Sequence, residues 1–304
     1  MINSVTKREL PISLVIATLG GEVLKTTIEH INQGEGVPAE ILICVPEAES
    51  ANVACLTSIR NVNVIKTLCR GQVAQRAVGL GFAACPYVMQ LDDDVILQPQ
   101  TLNALYETLL TKGAGNVVAP FFRLQPTGEE GTRYVKGWRG LLHNCHASLV
   151  CGAKFGKNRM GQISLAGIGY GVAVSSCDVH VVESEWLPGG AVLCHKADLV
   201  THDYYPFPGK AFSEDLIHSV LWRRQGCRLW TVLDVSALID VTVESFVWGS
   251  LIGRYRSHAY VAQIAGGSVW HTRIWFSVYC TRNLRAIFVQ NFLRVCCSAS
   301  SMEK

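Results

Sequence analysis

The sequence predicts an α/β fold with a mixed, mainly parallel sheet flanked by helices. In the first half of the chain, apolar runs of strand length alternate with amphipathic runs of helix length. Such alternation implies right-handed crossovers between parallel strands. The composition agrees with this, because 304 residues of which 49% are hydrophobic and 17% charged can bury a sizeable core. We therefore expect one large domain or two small ones.

The elements of the first half follow from these periodicities. Strands are expected at residues 12–17, 39–45, 62–66, 86–91 and 116–122. Helices are expected at residues 22–31, 72–84 and 99–110. Because the carboxyl ends of parallel strands meet at one edge of a sheet, the loops after the first, second and fourth strands should gather there.

The second half is less regular. Residues 128–182 break into short, Gly-punctuated, aromatic pieces, which predict hairpins and irregular loops. A helix should begin at Ser213-Glu214-Asp215, with Ser213 as the N-cap and both acids near the positive end of the helix dipole. Two closing strands are expected at 228–234 and 237–243, and aromatic-basic helices at 248–264 and 269–292.

Charge and cysteine usage limit the class of protein. A net charge of +3 gives no argument for nucleic-acid binding. The 12 cysteines are scattered, no Cys-x-x-Cys pair occurs and no signal-peptide core is visible, so we expect reduced thiols and a cytoplasmic protein. No apolar stretch reaches the roughly 18 residues of a membrane span.

The basic excess is local. The segment 254–294 has six arginines and no Asp or Glu, interleaved with aromatic residues. It is a candidate for peripheral contact with the inner face of the cytoplasmic membrane. The alternatives are a homodimer contact and packing on the rest of the chain.

Three carboxylates, Asp92, Asp93 and Asp94, follow the fourth predicted strand. Carboxylates crowded at such an edge repel one another, and Mg2+ or Mn2+ held by one or two of them together with substrate phosphate offsets the repulsion. A solvated turn is the alternative. The Thr18-Leu-Gly-Gly loop after the first strand either approaches a ligand or is a plain turn. No Gly-x-Gly-x-x-Gly or Walker loop occurs, and the histidines lack a zinc-ligand spacing.

Four features follow one another between about residues 12 and 240. They are the Thr18 loop, Gly71-Gln-Val-Ala-Gln-Arg76-Ala-Val-Gly79, Leu91-Asp92-Asp93-Asp94, and Trp186-Leu-Pro-Gly189-Gly190 with Ser213-Glu214-Asp215. In this order they resemble the family-two glycosyltransferases, which are inverting, nucleotide-sugar-dependent enzymes of the GT-A fold. Leu91-Asp92-Asp93-Asp94 matches the Asp-x-Asp signature of that family. The Gln-x-x-Arg-Trp mark of processive synthases is absent, which favours transfer of one sugar per encounter.

The resemblance implies a GT-A domain at 1–245, with a Rossmann-like nucleotide-sugar-binding half at about 10–124 and an acceptor half at about 125–245. Residues 246–304 would form a C-terminal helical segment. The implied reaction is metal-dependent, inverting transfer from a UDP- or dTDP-sugar to a glycan or lipid-linked glycan, in cell-surface polysaccharide synthesis. The alternatives are a non-catalytic GT-A scaffold in a glycan-assembly complex and a metal-dependent phosphohydrolase.

The resemblance also implies a role for each site residue. The base would be Asp215 beside Glu214, the metal ligands Asp94 and Asp92, the donor contacts Thr18, Glu47, Arg76, Asp92 and Asp93, and the acceptor contacts Trp186, Gly189 and Gly190. Glu47 stands where the family usually has Asp, and Asp240 where some members supply a histidine to the metal. Arg76 could instead form a structural salt bridge, Asp215 could serve only the helix dipole, and Trp186 could belong to the core.

Overall fold

The computed structural model describes residues 7–132, 134–240 and 245–291. Within these residues ten strands form one sheet. The strands are Arg8–Ala17 (β1), Gly36–Pro46 (β2), Val62–Thr67 (β3), Tyr87–Leu91 (β4), Ile96–Leu97 (β5), Asn116–Gln125 (β6), Glu129–Glu130 (β7), Val181–Ser184 (β8), Ala191–His195 (β9) and Arg228–Asp240 (β10). The helices are Val23–Gln33 (α1), Gln72–Phe82 (α2), Thr101–Lys112 (α3), Gly137–Cys151 (α4), Glu214–Arg224 (α5), Trp248–Ile264 (α6) and Val269–Arg282 (α7).

The sheet has the order β3-β2-β1-β4-β9-β6-β10-β5. Strands β1 to β4 pair in parallel, as do β6 and β10. Strand β9 lies between β4 and β6 and is antiparallel to both, which makes the sheet mixed. The predicted α/β class, with a mixed sheet flanked by helices, is confirmed.

Strand β1 lies in the centre of the parallel part and is buried on both faces. Leu14 and Ile16 belong to the core on the side of α1 and α3. Val15, which points the opposite way, packs with residues of β2 and α2, including Leu42 and Leu80. Burial on both sides explains the continuous apolar run of this strand. Because β1 pairs in parallel with both β2 and β4, the carboxyl ends of the three strands lie at one edge of the sheet.

Helix α2 packs closely on one face of β1 and β2. A Cβ atom at Gly79 would overlap Cys44 Sγ and lie 2.6 Å from Val15 Cγ1, so glycine is what allows this close approach. The buried Gln75 Nε2 donates to the carbonyls of Thr18 at 2.9 Å and Cys44 at 2.8 Å. Helix α2 therefore ties the ends of β1 and β2 together.

The prediction of hairpins and loops at 128–182 is wrong for α4, a helix of 15 residues. Its large apolar residues Trp138, Leu142 and Leu149 are exposed. The buried positions hold small or polar residues, so the sequence shows no stripe of large core-facing side chains; they are Gly140, Asn144, Ala147 and Cys151. The helix ends at Gly152, which has a left-handed conformation. After Gly152 the chain is largely irregular, with an isolated bridge between Ile163 and Gly169.

Two further boundaries differ from expectation. The closing strands at 228–234 and 237–243 are one strand, β10, whose pairing with β6 shifts register between Val232 and Ser236. Residues 241–243 lie outside the described residues. Helix α6 is confirmed with the predicted bounds. Helix α7 ends at Arg282, and after a turn at Asn283 residues 284–291 are helical again; residue 292 lies outside the described part.

The C-terminal helices pack on the loop that follows α4. His258 Nδ1 donates to Gly167 O at 2.9 Å, and Thr272 Oγ1 donates to Ala166 O at 3.1 Å. Helix α6 also contacts α5. Among the described residues, no helix combines the length and hydropathy that crossing a bilayer requires. The division near residue 245 stays a prediction.

Candidate active site

A cleft of about 470 Å3 opens at the carboxyl edge of the sheet. The residues that line it include Gln72, Asp92, Asp94, Trp186, Gly189, Gly190, Ser213, Glu214, Asp215 and Asp240. The structure thus brings the carboxylates after β4 together with the acidic pair at the start of α5. The segment before β9 lies between them, because β9 pairs with β4.

Arg76 joins the two groups of carboxylates. Its side chain is 1% exposed, and it donates from Nη2 to Asp92 Oδ1 at 2.8 Å and from Nη1 to Glu214 Oε1 at 3.1 Å. Tyr204 Oη donates to the other oxygen of Glu214 at 2.7 Å. Of the alternatives for Arg76, the structure shows the ion pair with an aspartate of the triplet. Both oxygens of Glu214 accept buried hydrogen bonds, so this carboxylate is held in one position.

Asp92 accepts a second hydrogen bond, from Gln72 Nε2 at 2.8 Å. Burial nevertheless raises the pKa of Asp92 to about 6, because desolvation outweighs the Arg76 charge and the carboxylates of Glu214 and Asp94 oppose ionisation. Gln72 lies one turn before Arg76 on α2, so the two side chains share a helix face. That i, i+4 spacing is the signal by which Gln72 could have been found in the sequence.

Gly189 and Gly190 are held against the end of β4. Gln90 Nε2 donates to Gly189 O at 2.7 Å, and the Asp92 amide donates to Gly190 O at 2.9 Å. A Cβ atom at Gly189 would lie 2.7 Å from Glu214 Oε1. Glycine is therefore required here for the close approach between this turn and the start of α5.

Asp93 and Asp94 have different surroundings. Thr18 Oγ1 donates to Asp93 Oδ2 at 2.5 Å, which fixes Asp93 against the loop after β1. Asp94 is exposed and lines both the cleft and a smaller neighbouring pocket, each of which also includes Asp240. Partial burial and the charges of Asp93 and Asp240 raise the pKa of Asp94. Asp94 is thus a carboxylate that lies close to two other negative charges.

Asp215 is partly buried at the first turn of α5 and lines the cleft. Burial and the charge of Glu214 raise the pKa of Asp215 to about 7. The Leu216 amide donates to its Oδ1 at 2.9 Å. A carboxylate whose pKa lies near neutrality exchanges a proton readily at physiological pH, which is what a general base requires.

Ser213 precedes this pair with a φ of +52°, a left-handed conformation that is uncommon for serine. Ser213 is the N-cap residue, as predicted, but its hydroxyl makes no capping hydrogen bond. It lies instead 3.4 Å from His258 Nε2 on α6. Burial lowers the pKa of His258 to about 4, so its imidazole is neutral and Nε2 can accept from the hydroxyl. No local signal in the sequence pointed to this contact.

Helix α6 supports the preceding loop as well. Ser257 Oγ lies 2.8 Å from Tyr205 Oη, which accepts from the Phe212 amide at 2.8 Å. The Arg254 guanidinium lies 5.7 Å from the Phe212 ring centre. The loop that carries Ser213 is therefore held between α5 and α6. Tyr204 and Tyr205 reach these partners through the fold of the loop, which sequence spacing does not predict.

Of two further predicted site residues, Trp186 lines the cleft and Glu47 does not. Trp186 donates from Nε1 to Tyr170 O at 3.1 Å and is partly buried, while part of its side chain lines the cleft. Glu47 is exposed at the start of a 3-10 helix and does not line the cleft. That helix covers the loop after β1, where Asn52 Nδ2 donates to Leu19 O at 3.0 Å. A role of Glu47 in donor binding stays a prediction.

No protein-family profile and no curated protein matches this sequence. Among solved structures, the chain is similar to the crystal structure of GalNAc-T7 with UDP, GalNAc and Mn2+, with a TM-score of 0.53 and 14% sequence identity. The similarity covers 77% of this chain and 43% of the GalNAc-T7 chain, so this chain spans less than half the length of that structure. At this identity the comparison shows the fold alone: the chain has a GT-A-like fold.

Proposed function

We propose that this protein transfers a single sugar from a UDP- or dTDP-sugar to a glycan or lipid-linked glycan, with inversion and with a divalent cation. One observation carries the proposal. Asp215, whose pKa is raised to about 7, lines the same cleft as Asp92 and Asp94. The cleft therefore offers a base and an acidic edge together. GalNAc-T7, which shares the fold, was crystallised with UDP, GalNAc and Mn2+.

The acidic edge fits Mg2+ or Mn2+. Partial burial raises the pKa of Asp94, and so do the charges of Asp93 and Asp240. A cation would relieve the repulsion among these carboxylates. Within the described residues no three His, Cys, Asp or Glu side chains are grouped to hold a metal by themselves. Carboxylate oxygens completed by substrate phosphate oxygens are the usual arrangement for Mg2+. We assign Asp94 and Asp92 as the protein ligands, with Asp240 as a further candidate. A cation bound there would offset the charge that develops on the leaving diphosphate.

The proton transfer falls to Asp215. The acceptor oxygen forms its bond to the sugar carbon opposite the diphosphate, the bond from that carbon to the diphosphate breaks, and the hydroxyl proton passes to Asp215. Glu214 is unsuited to this role, because its two oxygens already accept from Arg76 and Tyr204. We assign Glu214 to positioning, since Arg76 and Tyr204 fix the start of α5.

The remaining residues would shape the two substrate sites. Trp186 presents part of its ring to the cleft beside Gly189 and Gly190, where an acceptor sugar could stack and approach the backbone. Thr18 and Asp93 form a hydrogen-bonded pair at the edge that would face the donor. The four features between residues 12 and 240 support the family-two, inverting type. A place at the inner face of the cytoplasmic membrane and a role in cell-surface polysaccharide synthesis belong to the same proposal.

The test uses the full chain with Mn2+ and a panel of UDP- and dTDP-sugars. A nucleotide sugar that binds should raise the unfolding temperature. With an acceptor glycan, that donor should yield nucleoside diphosphate and a product of inverted anomeric configuration, which NMR can read. Release of sugar phosphate at the same rate with and without acceptor would indicate a phosphohydrolase. Failure of every nucleotide sugar to bind would favour the scaffold.

A further inference from the structure

Charge is distributed very unevenly along the chain. Residues 131–177 and 245–302 contain no aspartate or glutamate, although the chain has 24 acidic residues. Each of the two segments carries six lysines or arginines, so together they hold 12 of the 27 basic residues. All the acidic residues therefore lie in the rest of the chain, which is net negative. We call the described part of these two segments, 131–132, 134–177 and 245–291, the basic module.

The two segments are neighbours in the fold. Helix α4 contacts α7, and the loop after α4 is bonded to α6 and to the start of α7 through His258 and Ser268. The Ser268 amide donates to Leu165 O at 2.7 Å. A Cβ atom at Gly167 would lie 2.7 Å from the Ala262 nitrogen on α6, so the contact is close. The two segments without acidic residues thus pack together into one positively charged region.

The same module carries most of the exposed apolar surface. Of 21 large apolar side chains that are exposed in the described residues, 15 belong to it. On α4, Trp138, Leu142 and Leu149 are 68%, 60% and 79% exposed, and their i, i+4, i+11 spacing places them on one helix face. On α7, Trp270 and Ile274 are one turn apart and also exposed.

Exposed arginines stand beside the exposed tryptophans on both helices. The Arg139 guanidinium lies 5.5 Å from the Trp138 ring centre, and that of Arg273 lies 4.9 Å from the Trp270 ring centre. Aromatic and aliphatic side chains flanked by cations are typical of helices that lie in a membrane interface, with the rings at headgroup level and the cations at lipid phosphates. Exposed apolar side chains gathered on neighbouring helices and bordered by cations mark an interaction surface.

An exposed apolar face could be covered by a second copy of this chain or by a lipid surface, and the charge of the module distinguishes the two. A symmetric contact with a second copy would place the same cationic patch on both sides. The module has no carboxylate with which its arginines could pair across such an interface, so like charges would face one another. An anionic lipid surface is complementary to both the charge and the apolar face.

We propose that α4 and α7 dock on an anionic lipid surface, with Trp138, Leu142 and Leu149 entering the interface. Helix α4 extends the surface beyond the segment 254–294 that the sequence indicated, and it supplies an exposed apolar stripe from another part of the chain. The inference rests on charge and exposure and does not require sugar transfer. Its test therefore measures binding alone.

The experiment is sedimentation of the full-length protein with vesicles of phosphatidylcholine, with and without phosphatidylglycerol. We expect binding to the anionic vesicles at low salt and release at high salt, because the Debye length falls from about 30 Å at 0.01 M to about 3 Å at 1 M. Leu142→Glu and Leu149→Glu should each lower the partition coefficient at least about tenfold, the loss expected when one leucine is left unburied.

Leu68→Glu is the matched control, since Leu68 is fully exposed and lies outside the module. It should bind like the wild type. Arg139→Gln with Arg273→Gln should weaken binding to anionic vesicles and reduce its salt dependence, which provides a second test that leaves every apolar residue in place. Sedimentation velocity should show the same oligomeric state for the wild type and all variants.

Three results would overturn the proposal. One is a wild-type protein that ignores phosphatidylglycerol vesicles at low salt. Another is undiminished binding by folded Leu142→Glu and Leu149→Glu proteins. The third is a wild-type dimer that these two substitutions convert to a monomer, because the covered face would then be a contact between copies.

Discussion

Arg76 donates a hydrogen bond of 3.1 Å to Glu214, which lies 138 positions later in the chain, and the guanidinium is almost wholly buried. The same guanidinium binds Asp92 at 2.8 Å. One side chain on α2 therefore sets the distance between the acidic edge after β4 and the first turn of α5. Any chemistry that uses both edges of the cleft depends on this buried bridge.

Replacing Arg76 by methionine should destabilise the fold strongly. Two partly or fully buried carboxylates would lose their shared cation, and breaking a buried pair in this way costs about 3–5 kcal/mol. The control is Arg8→Met, which removes an ion pair to Glu107 whose partners are both about half exposed. That change should cost no more than about 1 kcal/mol. Urea unfolding measures both, and similar midpoints for the two variants would contradict the role of the bridge.

Asp215→Asn should lower sugar transfer by about two to four orders of magnitude, because the amide cannot accept the acceptor proton. Nucleotide-sugar affinity and the unfolding midpoint should stay near the wild-type values. Asp234→Asn, at an exposed aspartate that contacts His180, is the control and should retain full activity. Rapid transfer by the Asp215→Asn enzyme would move the base to another residue.

The pH dependence of transfer should report the same carboxylate. The pKa of Asp215 is raised to about 7, so the group takes up a proton as the pH falls through neutrality and the base is lost. The rate should therefore drop about tenfold per pH unit below about pH 7, and more steeply below about pH 6, where Asp92 also takes up a proton because its pKa is raised to about 6. His258 does not account for this loss of rate below pH 7, since burial lowers its pKa to about 4. A rate that stays constant from pH 7 to pH 5 would rule out Asp215 as the titrating base.

Removal of the divalent cation should abolish transfer, and the binding of Mn2+ should depend on Asp94. Mn2+ together with a nucleotide sugar should raise the unfolding temperature of the wild type, because a ligand that binds the native state stabilises it. Asp94→Asn should lose most of this shift, whereas Asp234→Asn should keep it. Full turnover after chelation would remove the metal from the proposal.

Two glycines of α2 provide a test of the packing that places Arg76. A Cβ atom at Gly79 would overlap Cys44 Sγ, so Gly79→Ala should destabilise the protein by about 1–3 kcal/mol through overpacking. A Cβ atom at Gly81 meets nothing within 4 Å. Gly81→Ala should therefore be neutral or stabilise by up to about 1 kcal/mol, since alanine favours the helix. Equal effects of the two substitutions would contradict the close contact of α2 with β1 and β2.

The sequence by itself determined the order of elements in the first half and the edge at which they end. Buried parallel strands have continuous apolar runs, and the run before Asp92 therefore identified β4 and placed the acidic triplet at its carboxyl end. The start of α5 at Glu214 was also visible, because acids favour the first turn of a helix. Such signals are local, so no partner had to be known.

Only the tertiary structure decided what these residues touch. Helix α4 was not predicted because its large apolar residues, such as Trp138 and Leu149, lie on the exposed face. Their positions therefore do not mark a face that packs on the core. The ion pairs of Arg76 join residues from three elements, and the packing of β9 between β4 and β6 brings the Gly189 turn to them. Ser213 could not be read as a partner of His258, because that contact depends on how α6 packs on α5. Distances between distant parts of a chain follow from packing, which no local pattern of residues encodes.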